Sequence, residues 1–83
     1  MDIVIGQVVI AKAGRDQNKP FAVIKIIDNR FCMIADGKRR PIEHPKLKNI
    51  IHLQKTNTVI AIETNRQLRK TLSQFEQPRL LNK

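Results

Sequence analysis

The apolar positions fall into short blocks with two different periods. Residues 3–12, IVIGQVVIAK, are rich in β-branched side chains and predict a first strand, with Gly6 marking a bend or bulge. FAVIKIID, residues 21–28, predicts a second strand. FCMIAD, residues 31–36, predicts a third, joined to the second by Asn29-Arg30 in a hairpin-type connection. RPIEH, residues 40–44, reads as a short fourth, with Pro41 confining it to an edge or a strand start. NIIHL, residues 49–53, reads as a fifth, and Pro45 with Lys46-Leu47-Lys48 reads as a turn or single 3₁₀ turn before it. Short strands with tight connections point to a small, strongly bent barrel.

The last third of the chain changes period. TVIAI, residues 58–62, predicts one more strand, running outward from the barrel. Thr64 and Gln67 match a capping box, so a helix is expected to begin near Asn65. Leu68, Leu72 and Phe75 then form one apolar stripe, with Arg66, Arg69 and Lys70 off it. A helix this short is not stable alone, so its stripe must dock, either on the barrel or on a partner. The barrel is the favoured surface, because such stripes usually cover their own domain's core. Pro78 is expected to end the helix, and RLLNK to be a loose tail. The division that follows is a barrel over 1–57, a strand-like extension and helix over 58–76, and a flexible tail over 77–83.

Eighty-three residues make one domain with a small core, and Cys32, the single cysteine, cannot form an internal disulfide. A lone cysteine fits a reducing cytoplasm. Asp2 stands where a signal peptide would carry basic residues, and Gly6 and Gln7 interrupt the apolar start. No membrane span and no signal peptide are expected, and the expected location is cytoplasmic. Charge changes the picture most. Sixteen Lys and Arg face seven Asp and Glu, for a net charge of +9. Residues 1–53 hold ten cations and five acids, and residues 54–83 hold six and two, so both parts contribute. Such a field attracts polyanions, nucleic acid before anionic membrane.

Catalytic chemistry finds little support. Ser73 stands alone on the expected helix, and Cys32 lies in an apolar strand where a thiol is ordinarily inert packing. Cys32, His44 and His52 match no zinc spacing, and no glycine-rich phosphate loop is present. No cofactor and no metal are expected. His44 decorates a turn. His52 either points outward to a phosphate or is a satisfied barrel-end histidine. The cations offer more. Lys12 and Arg15 bracket the first turn and Lys19 closes it; Lys38, Arg39 and Arg40 follow the Asp36-Gly37 turn; Lys46 and Lys48 come next. In a barrel, the first and third connections, or the third and fifth, can share a rim. Guanidinium groups bind phosphate bidentately, which singles out Arg15, Arg39 and Arg40. Phe21, Phe31 and Phe75 are the only aromatics, too few for a single-strand stacking platform. Structured RNA, recognised through phosphates and shape, fits better. Charge alone does not separate RNA from DNA.

GQVVIAKAGRDQNKPFAVIKIID resembles a KOW motif, with Gly14 at the turn glycine between two strands. IADGKRRPIEHPKLKNIIHL is similar to the remainder of the KOW-domain ribosomal proteins of archaeal and eukaryotic type, above all the fourteenth large-subunit protein and its short bacterial look-alikes. The resemblance covers residues 4–55. Two departures stand out: DQNKP lacks the second glycine many such motifs carry, and the chain after Asn57 does not match. The resemblance implies an SH3-like barrel whose loops grip ribosomal RNA, with Arg15 and residues 38–40 at the RNA. The expected function is therefore a non-enzymatic RNA-binding protein, ribosomal or ribosome-associated. Its expected partners are ribosomal or other structured RNA and ribosomal proteins, through Lys12, Arg15, Lys19, Lys38, Arg39, Arg40, Lys46, Lys48 and His52. The competing reading is a protein-interaction module using the barrel and the helix.

Overall fold

The computed structural model describes residues 3–76. Five strands, β1 (Gln7–Ala11), β2 (Pro20–Ile26), β3 (Phe31–Ala35), β4 (Lys46–Asn49) and β5 (Leu53–Val59), are followed by helix α1 (Asn65–Leu72). Single 3₁₀ turns cover Ile50–His52 and Ser73–Phe75. The strands form one antiparallel sheet in the order β4-β3-β2-β1-β5. Its two edge strands, β4 and β5, are consecutive in the chain and joined by one 3₁₀ turn. The sheet must curl to bring its edges together, which gives the small, bent, barrel-like β fold that the strand pattern predicts. Register shifts in the β1–β5 and β2–β3 pairs sharpen the bend. Across the β1–β5 shift, Thr56 Oγ1 donates to the Val8 carbonyl at 2.7 Å and Gln7 Nε2 to the Thr56 carbonyl at 2.9 Å.

Both faces of the sheet are buried, which is why its central strands read as continuous apolar runs. Val9, Ala11, Phe21, Val23, Cys32 and Ile34 fill the concave side, with Ile50 and Leu53 packed against them. Val8, Ala22 and Ala35 face the other side, where Leu68 and Leu72 of α1 cover them. The helix stripe therefore docks on the protein's own sheet. Burying each of these leucines contributes on the order of 1.5–3 kcal/mol. Thr64 caps the helix as expected, its hydroxyl accepting from the Gln67 N–H at 3.1 Å. The helix gives way at Ser73, whose hydroxyl donates back to the Lys70 carbonyl at 2.6 Å. Pro78, expected to end the helix, and the tail 77–83 lie outside the described residues.

The strand assignments after β3 need correction. RPIEH is a turn, in which the His44 N–H donates to the Pro41 carbonyl at 3.0 Å. The fourth strand is instead Lys46–Asn49, the segment expected to be a turn. Lys46 pairs with Ile34 and Lys48 with Cys32, both on the concave face, while Leu47 points outward and is 54 % exposed. The polar-apolar alternation of this edge strand is thus inverted. Its lysine stems lie over the concave face while their amines reach Asp16 and the Ala13 carbonyl of the connection between β1 and β2. NIIHL supplies the end of β4 and a 3₁₀ turn, capped by the Asn49 side chain accepting from the Ile51 N–H at 3.1 Å. The last strand is Leu53–Val59, mostly polar, whereas TVIAI contributes only its first two residues to it. Ile60 and Ile62 leave the sheet and pack beside α1.

Candidate nucleic-acid interface

The first connection, residues 12–19, folds back through two left-handed residues, Gly14 at φ +82° and Asn18 at φ +70°. Asparagine tolerates this region better than other non-glycine residues, so Asn18 can occupy the second left-handed position of the loop. The Asn18 N–H donates to the Ala11 carbonyl at 2.7 Å, and the Lys19 N–H to the Asp16 carbonyl at 2.9 Å. Two side chains of β4 tie this loop down. Lys46 Nζ lies 2.9 Å from Asp16 Oδ2, and Lys48 Nζ donates to the Ala13 carbonyl at 3.3 Å. The hydrogen bond from Lys46 holds the Asp16 carboxyl below its usual range against the opposing effect of burial; the charges of Lys46, Lys19 and Arg40 add to the lowering.

The third connection, residues 36–45, is closed by its own aspartate. Asp36 Oδ1 accepts from the Lys38 and Arg40 N–H groups at 2.8 and 2.9 Å. The Arg40 carbonyl accepts in return from the Asp36 and Gly37 N–H groups at 3.0 and 3.1 Å. Helix α1 clamps this loop from behind. Arg69 Nη1 donates to the Gly37 carbonyl at 3.0 Å, and Asn65 Oδ1 accepts from the Ile42 N–H at 2.7 Å. Asn65 Nδ2 also donates to Glu43 Oε1 at 2.9 Å, and that bond lowers the Glu43 carboxyl below its ordinary range. The backbone of the loop is thereby satisfied inward, while Lys38, Arg39 and Arg40 are exposed.

The two connections meet. Arg15, Arg39 and Arg40 line one depression together with the Asp16–Lys46 pair. Lys19, Lys38, Arg39 and Arg69 line a neighbouring one, which Pro20, Leu72, Ser73, Asp36 and Glu76 complete. Arg39 belongs to both. Seven cations and three acids thus surround one continuous patch. Lys46–Asp16 is the one ion pair among the described residues, so the other six cations of the patch have no carboxylate within pairing distance there.

The nine positions singled out in the sequence, eight Lys or Arg and His52, divide into three groups. Arg15, Lys19, Lys38, Arg39 and Arg40 come together on the patch. Lys46 and Lys48 hold the first connection in place, Lys46 also lining the patch. Lys12 and His52 sit side by side elsewhere, joined by the Lys12 N–H to the His52 carbonyl at 2.8 Å, and both are exposed. Sequence reasoning missed Asp16, Asp36, Asn65 and Arg69. Asp36 was within reach, because an Asp two residues before a loop amide is a turn-closing acceptor. Arg69 and Asn65 act across more than twenty residues, and no local pattern carries that.

Cys32 is fully buried in the concave core, and burial pushes its thiol pKa up, the opposite of an activated nucleophile. Among the described residues no group of three His, Cys, Asp or Glu is placed to hold a metal ion. No helix among them is long and apolar enough to cross a membrane. No protein-family model matches the chain, and no curated protein matches it.

Proposed function

We propose that this chain is a non-enzymatic, cytoplasmic RNA-binding protein, ribosomal or ribosome-associated, that grips structured RNA through the phosphate backbone. The observation that carries the reading is the convergence of Arg15, Arg39 and Arg40 from two separate loops whose backbones are already tied down. Like charges gathered without carboxylate partners repel one another, and a polyanion relieves that repulsion. Pre-ordered loops lose little further entropy on binding. Guanidinium forks then meet phosphate oxygens bidentately. Structured RNA is favoured over a bare single strand because the patch offers no ring for stacking. Phe21 is buried in the core, Phe75 packs against the helix-side core, and none of the three lines either depression. The likeness of residues 4–55 to KOW-domain ribosomal proteins points to the same ligand.

The test is equilibrium binding of a ribosomal RNA hairpin across a series of salt concentrations. The Arg39→Ala, Arg40→Ala double variant is expected to keep its melting temperature and bind more weakly. Its log K against log salt slope should shrink by about 1–2, since each lost phosphate contact removes roughly 0.7–0.9. Affinity and slope equal to wild type in that variant move the site off Arg39 and Arg40 to Arg15, Lys46 and Lys48, whereas a wild type that binds no structured RNA overturns the reading and leaves the protein-interaction alternative in its place.

A further inference from the structure

We propose that the depression between α1 and the third connection is a second phosphate subsite, built by Lys19, Lys38, Arg39 and Arg69, so that the patch takes neighbouring phosphates of one strand. The inference rests on the RNA reading for its natural ligand, but the subsite itself stands on geometry. Its cations come from three elements: the first connection, the third connection and the helix. Their charges are not cancelled locally. The Asp36 carboxylate at this site is turned onto the Lys38 and Arg40 N–H groups, and Glu76 at the end of the described chain is the other acid.

Arg69 is the residue that makes this a built site. One guanidinium nitrogen is anchored on the Gly37 carbonyl at 3.0 Å, which holds the group against the third connection. The remaining donors of that fork stay beside the depression, where an anion can take them. Pro20 and Leu72, both buried, supply apolar walls that strengthen any charge interaction beside them. Arg39 lines this depression and its neighbour alike, so a single side chain spans the step between them. Two adjacent anion positions sharing one guanidinium suit a ligand that carries phosphates in series, not an isolated anion. The helix thus serves as one wall of the binding site as well as a cover for the sheet.

Two measurements test this. In the first, inorganic triphosphate is titrated into ¹⁵N-labelled protein. The Arg69 Nε–H and the Gly37 amide are expected to shift together with Arg15 and to saturate at one concentration, and orthophosphate is expected to bind at least tenfold more weakly. In the second, the Lys19→Ala, Lys38→Ala double variant and the Arg69→Gln variant are compared in RNA binding. Glutamine removes the charge and the Nη1 bond to the Gly37 carbonyl while keeping the stem that packs beside it. The salt slope should fall by about 1–2 in the former and by about one in the latter, with melting temperatures unchanged. Wild-type slopes in both variants, alongside a reduced slope in Arg39→Ala, Arg40→Ala, overturn the second subsite and leave the RNA reading intact. If wild type binds no structured RNA, the RNA reading fails and the titration decides alone: silence at Arg69 and Gly37 removes the subsite.

Discussion

Gly37 is the position where the loop, the helix and the patch all meet, and replacing it gives a prediction with a built-in control. Gly37 has φ +77°, a left-handed conformation that costs an alanine about 1–2 kcal/mol. An added Cβ would also run into the Asn65 carbonyl oxygen and come within 3.1 Å of the Arg69 nitrogen, both backbone atoms of α1. Moving a docked helix to relieve such overlap costs about 1–3 kcal/mol. Alanine's smaller unfolded-state entropy returns about 0.4–1 kcal/mol. Gly37→Ala should therefore destabilise by about 2–4 kcal/mol, a large share of the roughly 4–12 kcal/mol expected for a domain of this size. Gly14 has nearly the same angle, φ +82°, but its Cβ would meet only the Lys48 amine at 3.8 Å. Gly14→Ala should cost about 0.5–1.5 kcal/mol, the backbone contribution alone. Urea unfolding followed by circular dichroism measures both. Asparagine separates the causes, since it accepts the left-handed region but still carries a Cβ. At position 14 it should be nearly neutral, and at position 37 it should still cost the roughly 1–3 kcal/mol of the overlap with α1. Equal effects at the two glycines, or a tolerated Gly37→Asn, would show that the helix does not press on this loop.

Leu72 is 3 % exposed under the sheet, so Leu72→Ala should cost about 2–4 kcal/mol and, by loosening the wall behind Gly37, weaken RNA binding as well; calorimetry and binding assays on one sample check the pair. Asp16 titrates below its usual value when folded, so its contribution is present above the unfolded pKa near 3.8 and is lost as pH falls through the lower folded value. Asp16→Asn should therefore lower stability by about 1 kcal/mol at neutral pH and flatten the acid limb of the stability profile, measured as urea midpoints between pH 2 and pH 7. If wild type and variant lose stability in parallel across that range, the Lys46–Asp16 pair contributes nothing to folding.

The early strands were legible because both faces of the sheet are buried, which leaves unbroken β-branched runs bounded by turn residues. The helix start was legible because Thr64 and Gln67 are local partners. The fourth strand was not, because Lys46 and Lys48 occupy its core-facing positions and Leu47 its outer one. An edge strand whose core-facing lysines run past the apolar face to bond a neighbouring loop looks like a polar turn. The polar length of β5 misled for a related reason. It is held by β1 on one side only, and Gln54, Asn57 and Val59 face outward. At the site, the basic residues themselves were legible from their clustering around two turns. The way they are held was not. Asn65 reaches Ile42 and Glu43, and Arg69 reaches Gly37, through contacts that only the docked helix creates.

The proposed function requires that one patch, and not general basicity, take up structured RNA. The direct measurement is an NMR footprint of a structured ribosomal RNA fragment on the labelled protein at physiological salt. The shifts are expected at residues 13–19, at residues 36–40, at Lys46 and at Arg69. Lys25 and Arg30, exposed at the other hairpin, should stay still. Perturbations centred on Lys25 and Arg30, or spread evenly over every surface cation, would contradict the account.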